Sequence, residues 1–148
     1  MTARALLDPV ALLGSWDFTR RIVDRVAGED THVAGTTELV SETAGRVKWS
    51  EQGVMQWRDK EVPVTRVLFL ELRDDGWFVT FDDGRDFHPW APGEQVEHMC
   101  GADLYRGHVV AGHPLDSWTV EWNVQGPTKD YTMTTVLARP TPSPSTKD

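Results

Sequence analysis

After Gly14 the chain is punctuated at hairpin spacing by clusters of turn-forming residues: Gly28-Glu29-Asp30, Ala44-Gly45, Gln52-Gly53, Asp74-Asp75-Gly76, Asp82-Asp83-Gly84, Pro92-Gly93, Gly112-His113-Pro114 and Gln125-Gly126-Pro127. The segments between them run about 5 to 12 residues and are rich in Val, Thr, Trp, Phe and Leu. Their apolar positions alternate, as in Trp16, Phe18, Arg20 and Ile22 against Asp17, Thr19, Arg21 and Val23, and nothing after Gly14 sustains a helical period. Eight to ten consecutive antiparallel strands in one small chain leave costly edges unless the sheet curls shut. The expected fold is therefore all-β: an antiparallel meander barrel of about eight to ten strands. One exception precedes it. Asp8 before Pro9 is an N-cap and first-turn pair, Val10 to Leu13 are apolar and Gly14 is a stop, which predicts a short N-terminal helix over residues 8–13.

At 148 residues the chain has the size of one domain, expected over residues 1–139, with residues 140–148, rich in Pro, Ser and Thr, expected as a disordered tail. Acidic residues outnumber basic ones, 23 to 15, and the basic ones are scattered, so neither nucleic acid nor an anionic membrane is an expected partner. No apolar run reaches bilayer length and no segment reads as a signal peptide. A single cysteine, Cys100, cannot form an internal disulfide. A cytoplasmic protein, monomer or homodimer, is expected from these features. Seven tryptophans are a large apolar load that needs a core or a pocket.

Alternation places particular side chains inside. Trp118, Val120, Trp122 and Val124 share one face, the inward one. A loop around Gln125 to Thr128 sets Val124 opposite Lys129 and Trp122 opposite Tyr131, bringing Lys129 and Tyr131 to the interior, with Asp130 on the outer face. At Asp82-Asp83-Gly84 a three-residue loop with Gly84 as the left-handed residue sets Phe81 opposite Arg85 and Val79 opposite Phe87, and sends His88 outward; a two-residue turn would bring His88 in. If Trp16 and Phe18 point in, Arg20 follows them, either to close one end by packing over an indole or to bind an anion.

The motif Leu13-Gly14-Ser15-Trp16-Asp17-Phe18, followed by Arg20-Arg21-Ile22-Val23-Asp24, resembles the GxW opening of lipocalins and other calycin-type barrels. Asp83-Gly84-Arg85 with Phe87-His88, the run from His98 through Cys100, Asp103 and Tyr105 to Gly107, and Trp122-x-Val124-x-Gly126-Pro127-x-Lys129-Asp130-Tyr131 extend the likeness. Together they resemble a lipocalin-like domain family of unknown function, bacterial (chiefly actinobacterial) and fungal, over nearly all of residues 8–139. The resemblance implies a cupped interior with Trp16 plugging its closed end, and it carries no activity.

His98 and Cys100, two apart on a strand, face the same side, but a zinc site would need His88, His108 or Asp103 as further ligands, so no metal is expected. Cys100 reads as a buried small residue beside a hydrogen-bonded His98. The expected ligand is one small, partly apolar organic molecule, with Arg20, Lys129, Tyr131 and His98 orienting an acidic or carbonyl group against Trp57, Phe87 and Trp122, and Cys100 and Tyr105 nearby. An alternative is a cofactor-free isomerase, cyclase or lyase in the same pocket, with Lys129, its pKa lowered by the barrel interior, Tyr131 and His98 moving protons. A third is a haem barrel with His98 as axial ligand.

Overall fold

The structure, a computed structural model, describes residues 7–112 and 115–140. Ten strands follow a four-residue 3-10 helix, Pro9–Leu12: β1 (Gly14–Asp24), β2 (Glu29–Thr43), β3 (Arg46–Trp57), β4 (Lys60–Arg73), β5 (Gly76–Phe81), β6 (Asp86–Pro89), β7 (Gln95–Cys100), β8 (Asp103–Ala111), β9 (Ser117–Gln125) and β10 (Asp130–Ala138). They form one antiparallel sheet in the order β6-β5-β4-β3-β2-β1-β10-β9-β8-β7. Each strand pairs with its neighbours in sequence, β6 with β7 excepted, and the first strand pairs with the last, Phe18 opposite Leu137 and Ile22 opposite Met133. The barrel is nearly closed: β6 and β7, the two ends of the sheet, lie side by side without a ladder between them. The expected meander is thus present. The tail beyond residue 140, and His113 and Pro114 of one expected turn, lie outside the described residues.

The lead helix forms for the expected reason, Asp8 Oδ1 accepting a hydrogen bond from the Val10 N–H at 2.9 Å with Pro9 at the first helical position. Gly14 then turns with φ +113°, a backbone that L side chains rarely adopt. This delivers Trp16 into the closed end, fully buried, its indole N–H donating to Leu12 O at 2.8 Å. Trp118 meets Trp16 edge-on at 5.9 Å and Trp49 at 5.5 Å, and Trp90 completes the cluster at 6.1 Å from Trp118. Four indoles thus fill one end of the barrel. The cation over Trp16 is Arg139, 3.8 Å from the ring centroid, which also donates to Leu13 O and Ser15 O. The expectation that Arg20 caps Trp16 is corrected: Arg20 lies over Phe18, at 4.8 Å.

Three register expectations also change. Gln52-Gly53 is not a turn but the middle of β3, where Gly53 faces Gly35 across the ladder. A Cβ on Gly35 would meet Gln52 O at 2.0 Å, and one on Gly53 would meet the Phe18 ring at 3.0 Å. These glycines let two backbones approach under a core phenylalanine instead of reversing the chain. The reversal falls at Arg58, the only non-glycine residue with positive φ among those described. The β9–β10 loop is Gly126 to Lys129, closed by the Gly126 N–H donating to Lys129 O at 2.9 Å. Tyr131 accordingly stands opposite Val124, and Met133 opposite Trp122. That slip of two preserves the face, so Tyr131 stays inward, while Lys129 falls in the loop.

At Asp82-Asp83-Gly84 the three-residue loop is present: the Phe81 N–H donates to Arg85 O at 2.8 Å and Gly84 has φ +92°. Val79, however, pairs with His88 rather than Phe87, because the register shifts after Thr80–Asp86. Phe87 is the extra residue of a bulge, and the consequence is that His88 is buried.

Candidate functional site

The half of the barrel away from the tryptophan plug holds a chamber of about 560 Å³ opening to solvent. One wall is a stack of rings: Phe81 on Phe87 at 4.5 Å and Phe87 on Trp122 at 4.9 Å, nearly parallel in both pairs. Behind Trp122, on the neighbouring strand, is Gly107, where a Cβ would lie 2.5 Å from the indole. The missing side chain lets the indole lie flat on β8. Tyr105, Tyr131 and Met133 continue the wall, and Arg66 brings a cation to it.

Arg66 belongs to a buried charge cluster. Arg20 donates through one terminal nitrogen to both Glu51 oxygens, at 2.9 and 2.8 Å, and through Nε to the Thr135 hydroxyl at 2.7 Å. Glu51 is 4% exposed and Arg20 9%. Arg66, opposite Glu51 in the β3–β4 ladder, donates to it at 3.4 Å, and its Nε is shut off from solvent with no acceptor. Burial pulls the Arg66 pKa below its ordinary value, Glu51 opposing the shift and Arg20 adding to it. Two guanidinium groups share one carboxylate.

His88 sits beside the ring stack, 4.7 Å from Phe87 and 5.1 Å from Trp122. Its Nδ1 lies 2.7 Å from Pro89 O, a contact made as donor by a neutral imidazole with that nitrogen protonated. Burial lowers its pKa to about 4, with the nearby His98 and Arg66 pushing the same way. The Tyr131 pKa is raised to about 12, by burial first and then by its hydrogen bond with Tyr105, so the hydroxyl keeps its proton throughout the neutral range.

The expected site residues divide. Phe87, Tyr105, Trp122 and Tyr131 line the chamber. His98 touches its wall, 5.2 Å from Phe87 and 6.1 Å from Tyr105. Arg20 is inside but already bound to Glu51 and Thr135. Trp57 is not in the chamber lining; it ends β3 with the Arg58 guanidinium 4.6 Å over its ring. Cys100 is exposed at the end of β7, not buried. Lys129 is exposed and lies 3.0 Å from Asp103. The carboxylate raises its pKa, as do the nearby tyrosines, which is the reverse of the lowering expected in a dry barrel. Asp130 faces out as expected and binds Arg25 at 3.0 Å.

Arg66 and Glu51 were not singled out from the sequence, although the same alternation that places Arg20 inside reaches them. Glu51 follows Val47 and Trp49 at intervals of two, and Arg66 precedes Leu68 and Leu70 likewise.

A nearly closed all-β meander barrel with one plugged end and one hollow end defines the class of protein. The chain belongs to the family of unknown function DUF6314, which matches residues 12–139. No curated protein matches it. Among solved structures it is similar to a redesigned β-barrel, mFAP0, bound to DFHBI, with 14% identity over 86% of this chain and 98% of that one and a TM-score of 0.49. It is also similar to EF1p2_mFAP2b bound to DFHBI, with 10% identity over 92% of this chain and all of that one and a TM-score of 0.51. At 10% identity the likeness to the latter is one of fold alone.

Proposed function

We propose that this chain is a lipocalin-like binding protein that holds one small, partly apolar organic molecule in the open half of its barrel. The observation that carries the reading is the chamber itself: about 560 Å³ is within the usual range of small-molecule sites, and a wall of aromatic and aliphatic side chains with charged groups at its edge is how such sites are built. Proton-transfer catalysis by Lys129 draws no support from the geometry, since the amine is held as a cation by Asp103 at the rim. An exposed, unpaired Cys100 suits the reducing cytoplasm, as a monomer or homodimer.

The test is a titration of intrinsic tryptophan fluorescence against a metabolite library. A saturable response that weakens in Trp122→Ala is the expected result. No saturable response to any compound, together with a chamber filled by side chains in an experimental structure, would reject the reading. A Soret band on haem addition would reassign the chamber to haem.

A further inference from the structure

The charges that meet inside the barrel do not balance: Arg20 and Glu51 are buried, and Arg66, 35% exposed, adds a second cation. Arg20 and Glu51 make a complete pair, one guanidinium nitrogen meeting both carboxylate oxygens and Nε satisfied by Thr135. Arg66 is left with the far side of a carboxylate already engaged, at 3.4 Å, and with a buried Nε that has no acceptor. The acids at the chamber mouth do not reach it: Asp83 is taken by Arg85 at 2.8 Å, and Asp82 is exposed. Asp103 is occupied by Lys129. The Arg66 side chain keeps about a third of its surface exposed, while its Nε is buried without an acceptor, and a buried donor left unpaired is costly unless an acceptor joins it. Arg66 is also the one member of the trio that lines the chamber, so the place where charge is missing is the place where a ligand would sit.

We propose that the chamber takes a compact aromatic monoanion, its carboxylate or equivalent oxyanion seated on Arg66 and its ring body against Trp122 and the Phe81–Phe87 stack. The inference rests on the small-molecule reading above and deepens it by assigning the ligand's charge and the residue that reads it. Glu51 has a defined part: by neutralising Arg20 it leaves one net positive charge for the ligand, so a monoanion completes the cluster. The hydroxyls of Tyr105 and Tyr131, on the same chamber wall and hydrogen-bonded to each other, leave one O–H to donate to an electron-rich guest. Arg66 is a binding residue in this scheme, whereas Arg20 and Glu51 position it.

Two probes of the same shape test this on the unaltered protein: 2-naphthoate and the neutral 2-naphthalenemethanol, each titrated by calorimetry and tryptophan quenching. Naphthoate is expected to bind about 10- to 100-fold more tightly, the range set by a hydrogen-bonded charge. Arg66→Met is expected to bring naphthoate down to the level of the alcohol and to leave the alcohol unchanged. Without ligand, Arg66→Met should melt at or above the temperature of the parent, since a balanced Arg20–Glu51 pair remains, while Arg20→Met should melt lower. Equal affinity for both probes in the parent overturns the monoanion assignment and leaves small-molecule binding standing. Naphthoate binding that survives Arg66→Met overturns the assignment to Arg66. Failure of both probes to bind overturns this inference, and the library titration then decides the broader reading by itself.

Discussion

His88 carries the clearest pH signature of any single residue in the barrel. It is 4% exposed, and burial holds its pKa near 4, against 6.5 for a free imidazole. A group whose folded pKa lies below its unfolded one is protonated first in the unfolded chain, so protons favour unfolding as pH falls from about 6.5 to about 4. At about 1.4 kcal/mol per pH unit the loss approaches 3 kcal/mol. Above about 6.5 the stability contribution is complete. Urea denaturation across this window should show the loss in the parent and a flatter profile in His88→Gln; parallel profiles would mean that His88 is as accessible to protons when folded as when unfolded. Arg20 is a second residue with a definite cost. Arg20→Met leaves Glu51 buried with only the longer Arg66 contact, and the lost pair should cost about 3 kcal/mol, measurable by the same denaturation. Alternation made Arg20 legible as an inward cation. Its partner was not legible, because period two says which face a residue takes but not which strand meets it across the barrel.

At the scale of strands, the sequence showed hairpins and faces better than it showed registers. Tyr131 reached the interior by parity even though its cross-strand partner moved from Trp122 to Val124, since a slip of two keeps the face. At β6 one residue mattered more. The loop at Asp82-Asp83-Gly84 has the expected form, but the bulge at Phe87 downstream changes parity and brings both Phe87 and His88 to the ring stack. Local turn chemistry carries no signal for that bulge, which sets Phe87 and His88 against Trp122. Gln52-Gly53 misleads for the opposite reason: its glycine serves a close backbone approach in mid-strand, which looks like a turn residue until Phe18 and Gly35 are placed around it. Gly107 is a similar glycine in β8. In Gly107→Ala the new methyl would stand 2.5 Å from the Trp122 ring, which is backed by Phe87 and cannot swing aside alone. The expected cost is about 1–3 kcal/mol of stability from overpacking, with a red-shifted or broadened tryptophan emission as Trp122 tilts. A variant of unchanged stability and emission would show that the indole has free space beside it.

For the whole molecule the division between a solid end and a hollow end matters more than the strand count. The solid end contains Trp49, Trp90 and Trp118 in mutual contact and Trp16 against Trp118, with Arg139 and the lead helix closing over it. The seam is where the two ends of the sheet, β6 and β7, meet, with the β1–β10 pair near the middle of the strand order, and its flank is packed by Phe87 against His98 at 5.2 Å. This arrangement predicts different outcomes for two tryptophans that composition alone treats as equivalent. Trp16 is fully enclosed, so Trp16→Ala leaves a cavity that neither solvent nor neighbouring rings can refill cheaply, at a cost of about 3–5 kcal/mol. That is a large share of the roughly 5–15 kcal/mol typical of a domain. Trp122 is also buried, but it borders the chamber. In Trp122→Ala the void joins an existing opening that water can enter, so the stability loss should be smaller, while affinity for any chamber ligand should fall. Chemical denaturation of both variants beside ligand titration of Trp122→Ala separates the two ends. Equal destabilisation, with ligand affinity untouched in Trp122→Ala, would mean that the hollow half is packed as core and that whatever this protein binds is held on its outer face.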